Sequence, residues 1–190
     1  MKTKPTKLRL LVTTECDRNC PGCCNNQFDI LNLPSPDHFN YEMVMITGGE
    51  PMMEPLTVID TICKIRQTSS AKIILYTADT RQPKLLMSIL ALCDGITLTL
   101  HDQNDFIPFL VFNSLVYFYP HAFENKSLRL NVFKEVKISD QNFGLISQQW
   151  EVKKDIVWLD PCSLPDGEIL MKLKNEYSSI ISRLQHSISG

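Results

Sequence analysis

Short apolar runs rich in β-branched residues alternate with stretches of helical spacing along this chain, and that alternation constrains the fold more than any other feature. Residues 8–12, 43–46, 72–76, 96–100, 127–133 and 155–159 read as strands. Helical spacing covers 56–67, 82–92 (stopped by Asp94-Gly95), 141–150 and 168–188. Parallel strands need long crossover connections, usually helices, so strands in series with helices predict a parallel sheet. Six such units predict an α/β fold, an open partial (β/α)6 barrel with parallel strands, as a single domain over 1–190. The segment 103–125 has no clean period. It predicts a helix plus an extended stretch, with Phe106, Phe109, Phe112, Tyr117, Phe118 and Tyr119 packed into the core.

A chain of 190 residues buries a full core without disulfide staples. Its 44% hydrophobic and 21% charged residues are the balance of a soluble globular protein. The net charge of −2 gives no footprint for nucleic acid, and the basic run Lys2, Lys4, Lys7, Arg9 reads as a solvated lead-in to the first strand. The apolar run 8–12 is too short for a signal peptide or a membrane span, so a cytoplasmic location with no membrane partner is expected. Seven cysteines in such a compartment do not make a disulfide framework.

Three of them crowd together in Cys16-Asp17-Arg18-Asn19-Cys20-Pro21-Gly22-Cys23, in the loop after the first strand. Thiolates on one short loop can hold the irons of a cuboidal cluster, which usually takes four cysteines. With three, one iron keeps an open position, the condition for chemistry at a metal. The competing reading is a structural zinc site completed by Cys24 or His38. A second motif, Gly48-Gly49-Glu50-Pro51, closes the second strand. Its glycines permit positive φ and close approach of a ligand, and its carbonyls with Glu50 can accept hydrogen bonds from an ammonium group. Alone it is equally an ordinary strand-to-helix turn.

The order of these two motifs resembles the radical S-adenosylmethionine superfamily. That resemblance implies a 4Fe–4S cluster on Cys16, Cys20 and Cys23 at the C-terminal mouth of a partial barrel. S-adenosylmethionine would chelate the open iron, with its amino group met by Gly48, Gly49, Glu50 and Pro51. It implies reductive cleavage to methionine and a 5′-deoxyadenosyl radical that abstracts hydrogen, with electrons from an external flavodoxin- or ferredoxin-like donor. The substrate class stays open between a small molecule, a polymer-borne group and a partner protein. Gly22 stands where many members carry an aromatic residue. Locally the loop resembles small activating enzymes of anaerobic ribonucleotide reductase, which makes an activase installing a glycyl radical on a partner the alternative enzymatic reading. A non-catalytic zinc-binding interaction module is the third.

Further candidates lie at strand ends, where α/β barrels place their active residues. Thr77 ends the third strand, and relatives often place Thr or Ser there near the cofactor. In the fifth strand, Arg129 facing inward would meet the methionine carboxylate, with Asn131 on its face by alternation; facing outward it is a solvated edge residue. His101 and Asp102 either reach cofactor or substrate or belong to a turn. Cys63 and Cys93 read as core, Cys24 as a thiol beside the cluster, Cys162 as a loop residue at the mouth, and most methionines as core.

Overall fold

The computed structural model describes residues 6–26, 28–158 and 163–174. Seven strands, β1 (Lys7–Thr13), β2 (Met43–Gly48), β3 (Lys72–Thr77), β4 (Gly95–Leu100), β5 (Ser127–Phe133), β6 (Glu151–Ile156) and β7 (Glu168–Lys172), form one sheet in the order β6-β5-β4-β3-β2-β1-β7. Every pairing in it is parallel, and the sheet is open. Four helices accompany it among the described residues: α1 (Pro55–Thr68), α2 (Pro83–Leu92), α3 (Phe106–Phe118) and α4 (Asp140–Phe143). Pro55 and Pro83 open α1 and α2, where a fixed φ suits the first turn and the missing N–H costs nothing. No helix among the described residues is long and apolar enough to cross a membrane.

β1 to β6 lie in sequence order without a reversal, so right-handed crossovers put their connections on one face. The side chains agree. Leu8, Leu10, Ile46, Leu75, Leu98 and Leu130 share one core cluster with Val58, Ile62, Leu86, Ile89, Phe109 and Phe112 of the helices. Residues of opposite parity, among them Arg9, Tyr76, Thr97, Arg129 and Asn131, stand outside that cluster. The polar alternation of β5 (SLRLNVF) is the sequence mark of this one-sided cover.

Four expectations are corrected. Over 103–125, Phe106, Phe109 and Phe112 are buried, but Tyr117, Phe118 and Tyr119 at the end of α3 are exposed, and a 3-10 turn, Pro120–Phe123, replaces the extended stretch. The helix over 141–150 shrinks to α4, because buried Asn113 of α3 takes over the backbone of the following segment. Its amide donates to Leu145 O (2.9 Å), and its carbonyl accepts from Ser147 N (2.9 Å) and Trp150 Nε1 (3.2 Å). The sixth strand forms at Glu151–Ile156 rather than 155–159, of which 159 lies outside the described residues. Its exposed Glu151, Lys153, Lys154 and Asp155 are the charges of an edge strand, which hide it from an apolar reading. The helix expected over 168–188 begins instead as β7, making a seventh strand; 175–188 lie outside the described residues. β7 pairs with the free edge of β1, and Glu168 meets Arg9 at 2.5 Å.

Candidate functional site

The cysteine loop leaves β1 at Thr13 and is fastened to the end of β2. Gly49 N donates to Thr13 O (2.9 Å) and Glu50 N to Glu15 O (2.7 Å). Gly48 sits at φ +151°, and a Cβ on it would stand 2.4 Å from Thr13 O. A Cβ on Gly49 would stand 2.0 Å from Glu15 O. The close approach anticipated for a ligand at these glycines is therefore made first by the backbone of the cysteine loop.

Glu50 is buried, with 2% of its surface exposed, and its carboxylate is already engaged. Oε1 accepts from Met52 N (3.0 Å) and from the hydroxyl of Thr77, while Oε2 accepts from Ala78 N (2.9 Å). Thr77 in turn accepts from Asp79 N (3.0 Å). Pro51, also buried, opens a short 3-10 turn, Pro51–Met53. Glu50 and Thr77 thus tie the ends of β2 and β3 together. Burial raises the Glu50 pKa against the lowering effect of these hydrogen bonds. A raised folded-state pKa means that Glu50's contribution to stability is fully present below its unfolded value, about 4.3, and declines as pH rises through the folded value. Glu50→Gln should abolish that slope. It also turns an NH2 toward Ala78 N or leaves that donor unmet, a loss of about 1–3 kcal/mol. Urea denaturation of both proteins between acid and neutral pH checks both effects.

Cys16 is exposed, Cys20 and Cys23 are half-buried, and all three are free thiols. Burial, then the neighbouring Cys23, pushes the Cys20 thiol up to about 11, and burial also raises Cys16. Among the described residues no three His, Cys, Asp or Glu side chains are grouped to hold a single metal ion. Cys24 begins a 3-10 turn, Cys24–Asn26, and Cys162 lies outside the described residues. Two arginines, invisible as a motif, anchor the loop through three ion pairs. Arg18, between Cys16 and Cys20, donates Nη1 to Asp105 (2.7 Å) and Nη2 to Ala78 O (3.0 Å). Arg81 bridges Asp17 and Asp79, at 2.7 Å each. Hydrogen bonds from Arg81 outweigh the burial of Asp79 and hold its carboxyl below the usual range. A cleft of about 310 Å³ opens among Asp17, Arg18, Asp79, Arg81, Asp102 and Asp105.

At the end of β4, His101 N donates to Asp105 (2.8 Å), and the ring stacks on Trp158. His101 Nδ1 is buried without a partner, and burial, then the charge of Arg18, lowers the ring's pKa. Asp102 is exposed and caps the turn Gln103–Asp105 by accepting from Asn104 N (2.7 Å), so the turn is what its residues form. Arg129 and half-buried Asn131 share the face of β5 that the helices leave uncovered. Arg129 is exposed there and meets Glu151 of β6 at 3.3 Å. Cys93 is buried, its thiol pushed up to about 12 by that burial, as expected of a core residue. Cys63 is not core: the buried stripe of α1 is Val58, Thr61, Ile62 and Ile65, and position 63 falls outside it. Met45 and Met52 are buried, but Met53 is exposed.

A larger cleft of about 880 Å³ lies between α3 and 144–149, lined by uncharged residues such as Leu110, Ser114, Tyr117 and Leu145. Volume and chemistry disagree here, and the thiols, charges and strand ends mark the smaller region at the cysteine loop as the site. Arg18, Asp79, Arg81, Asp105 and Trp158 belong to that region, and the sequence reading passed over them. For Arg18 the available signal was a cation inside a thiol-rich loop. No family model matches the chain, and no curated protein is significantly similar to it.

Proposed function

We propose that this chain is a radical S-adenosylmethionine enzyme, its open sheet a partial (β/α) barrel. The observation that carries the reading is one junction. Three soft thiols stand in the loop after β1, and two backbone hydrogen bonds, Gly49 N to Thr13 O (2.9 Å) and Glu50 N to Glu15 O (2.7 Å), fasten that loop to Gly48–Pro51. Sequence order and one-sided helix cover favour a curled, singly wound sheet over a doubly wound one. Three soft thiols in one loop suit an iron–sulfur cluster with one open iron.

Cys16, Cys20 and Cys23 would hold a 4Fe–4S cluster, which when bound supplies one electron to the sulfonium of S-adenosylmethionine. Reductive cleavage of that sulfonium to methionine and a hydrogen-abstracting deoxyadenosyl group would be the chemistry the bound cluster supplies. The chain's own residues bind and orient. The carbonyls of Glu50 and Pro51 already accept from Met53 N and Glu54 N (3.0 Å each), so those of Gly48 and Gly49 would meet the cofactor's ammonium, while Glu50 and Thr77 hold that strand end rather than offering a free carboxylate. Arg18 and Arg81 keep the loop on β3 and the start of α3. Arg129 would reach the methionine carboxylate only by leaving Glu151, and Asn131, one alternation nearer the strand's C-terminal end, is better placed.

Anaerobic reconstitution should give about four irons per chain. The reduced protein should then convert S-adenosylmethionine slowly to 5′-deoxyadenosine without added substrate. One zinc per chain and no iron after careful reconstitution would overturn the reading.

A further inference from the structure

The two halves of the cysteine loop are held differently. The half at Cys16 is anchored by Thr13, Glu15 and Arg18. The half from Cys20 carries its own backbone turns, Cys23 N to Cys20 O (3.2 Å) and Asn26 N to Cys23 O (3.0 Å), and its Gly22 lies against Trp158. Trp158 follows the end of β6 by two residues, at the far side of the sheet. A Cβ on Gly22 would stand 2.9 Å from Trp158 Cβ and Cε3 and 3.2 Å from Cδ2. The tryptophan therefore fills the space that a side chain at position 22 would take. Its ring stacks on His101 (centroids 5.2 Å apart, planes 13° apart) and lies 4.1 Å from the ring of Phe133. His101 directly follows β4 and Phe133 ends β5, so the three rings join the ends of three strands to the turn between Cys20 and Cys23.

We propose that Trp158 is a positioning residue for Cys20 and Cys23, supplying from the opposite edge of the sheet the side chain the loop lacks at Gly22. The placement of the thiols rests on geometry alone; only their role as cluster ligands rests on the function proposed above. Packing of one ring against backbone and two further rings restrains the turn without a hydrogen bond, and truncation removes all of those contacts together.

The test is made on metal-free protein, so that it stands apart from cluster and activity. Iodoacetamide labelling of each cysteine is followed by peptide mass spectrometry, with buried Cys93 as the control for global opening. Trp158→Ala should speed labelling of Cys20 and Cys23 by about tenfold while Cys93 is unchanged. Trp158→Phe should stay within about threefold of the parent, because a ring still fills most of the gap. Gly22→Ala should mimic Trp158→Ala by displacing the indole, yet add little in the Trp158→Ala background. Gly22→Phe combined with Trp158→Ala moves the aromatic to the other side of the same space and should recover protection. Equal labelling of Cys20 and Cys23 in parent and Trp158→Ala overturns the proposal, as does a parallel rise at Cys93. A zinc-only protein would sink the enzymatic reading and leave this labelling pattern as it is.

Discussion

Cys16→Ala, Cys20→Ala and Cys23→Ala are each expected to return protein without iron after anaerobic reconstitution, against about four irons per chain in the parent. The reason is the donor count. The loop brings three thiols to a cluster that usually takes four. Removing one leaves two thiolates for a cluster that already lacks a fourth, too few to hold it. The controls come from the same structure. Cys63 is exposed on α1 and Cys93 is buried at the end of α2, so Cys63→Ala and Cys93→Ala should keep full iron. Iron, sulfide and the thiolate-to-iron absorption bands are measured on all five variants. Full iron in any of the three loop variants would remove that cysteine from the ligand set.

The second large effect is expected at Gly49. A methyl group there meets Glu15 O at 2.0 Å, Glu15 C at 2.6 Å and Thr14 O at 2.8 Å, all backbone and none able to swing aside. Gly49→Ala must push the cysteine loop off β2. That breaks the bonds Gly49 N to Thr13 O and Glu50 N to Glu15 O and disturbs the Glu50 carboxylate beneath them. Two hydrogen bonds at about 1 kcal/mol each, plus steric strain, suggest a loss of about 3–5 kcal/mol. Iron uptake should fall with it, because the same displacement moves Cys16. Gly144→Ala is the control: its nearest neighbour is Gln141 O at 3.4 Å and its backbone is helical, so its cost should stay within about 0.5 kcal/mol. Chemical denaturation of the two variants beside the parent decides. A Gly49→Ala protein as stable as the parent would mean that loop and strand are not pressed together.

Wherever neighbours along the chain settle the conformation, the sequence was sufficient. β1, β2, β3, β4 and β5 lie where β-branched runs placed them, and α1 and α2 follow their apolar spacing between a leading proline and a β-strand. The nearness of the Cys16 to Cys23 loop to Gly48–Pro51 was also implicit, since adjacent parallel strands end side by side. What tertiary structure decided depends on partners distant in the chain. The segment after α4 is not helical because Asn113, 32 residues away from Leu145, satisfies its backbone, and no local period records that. The segment 168–172 is a strand because the edge of β1 was free to pair, although its own spacing admits a helix. Glu50 looked like a free acceptor in sequence, but burial beneath Thr77 and Ala78 commits its oxygens. Gly22 looked like an omission in the cysteine loop until Trp158, from beyond β6, occupied the space beside it. Periodicity and turn chemistry act over a few residues and are written into the sequence, whereas hydrogen-bond satisfaction and the filling of space are met by whichever group the fold brings near.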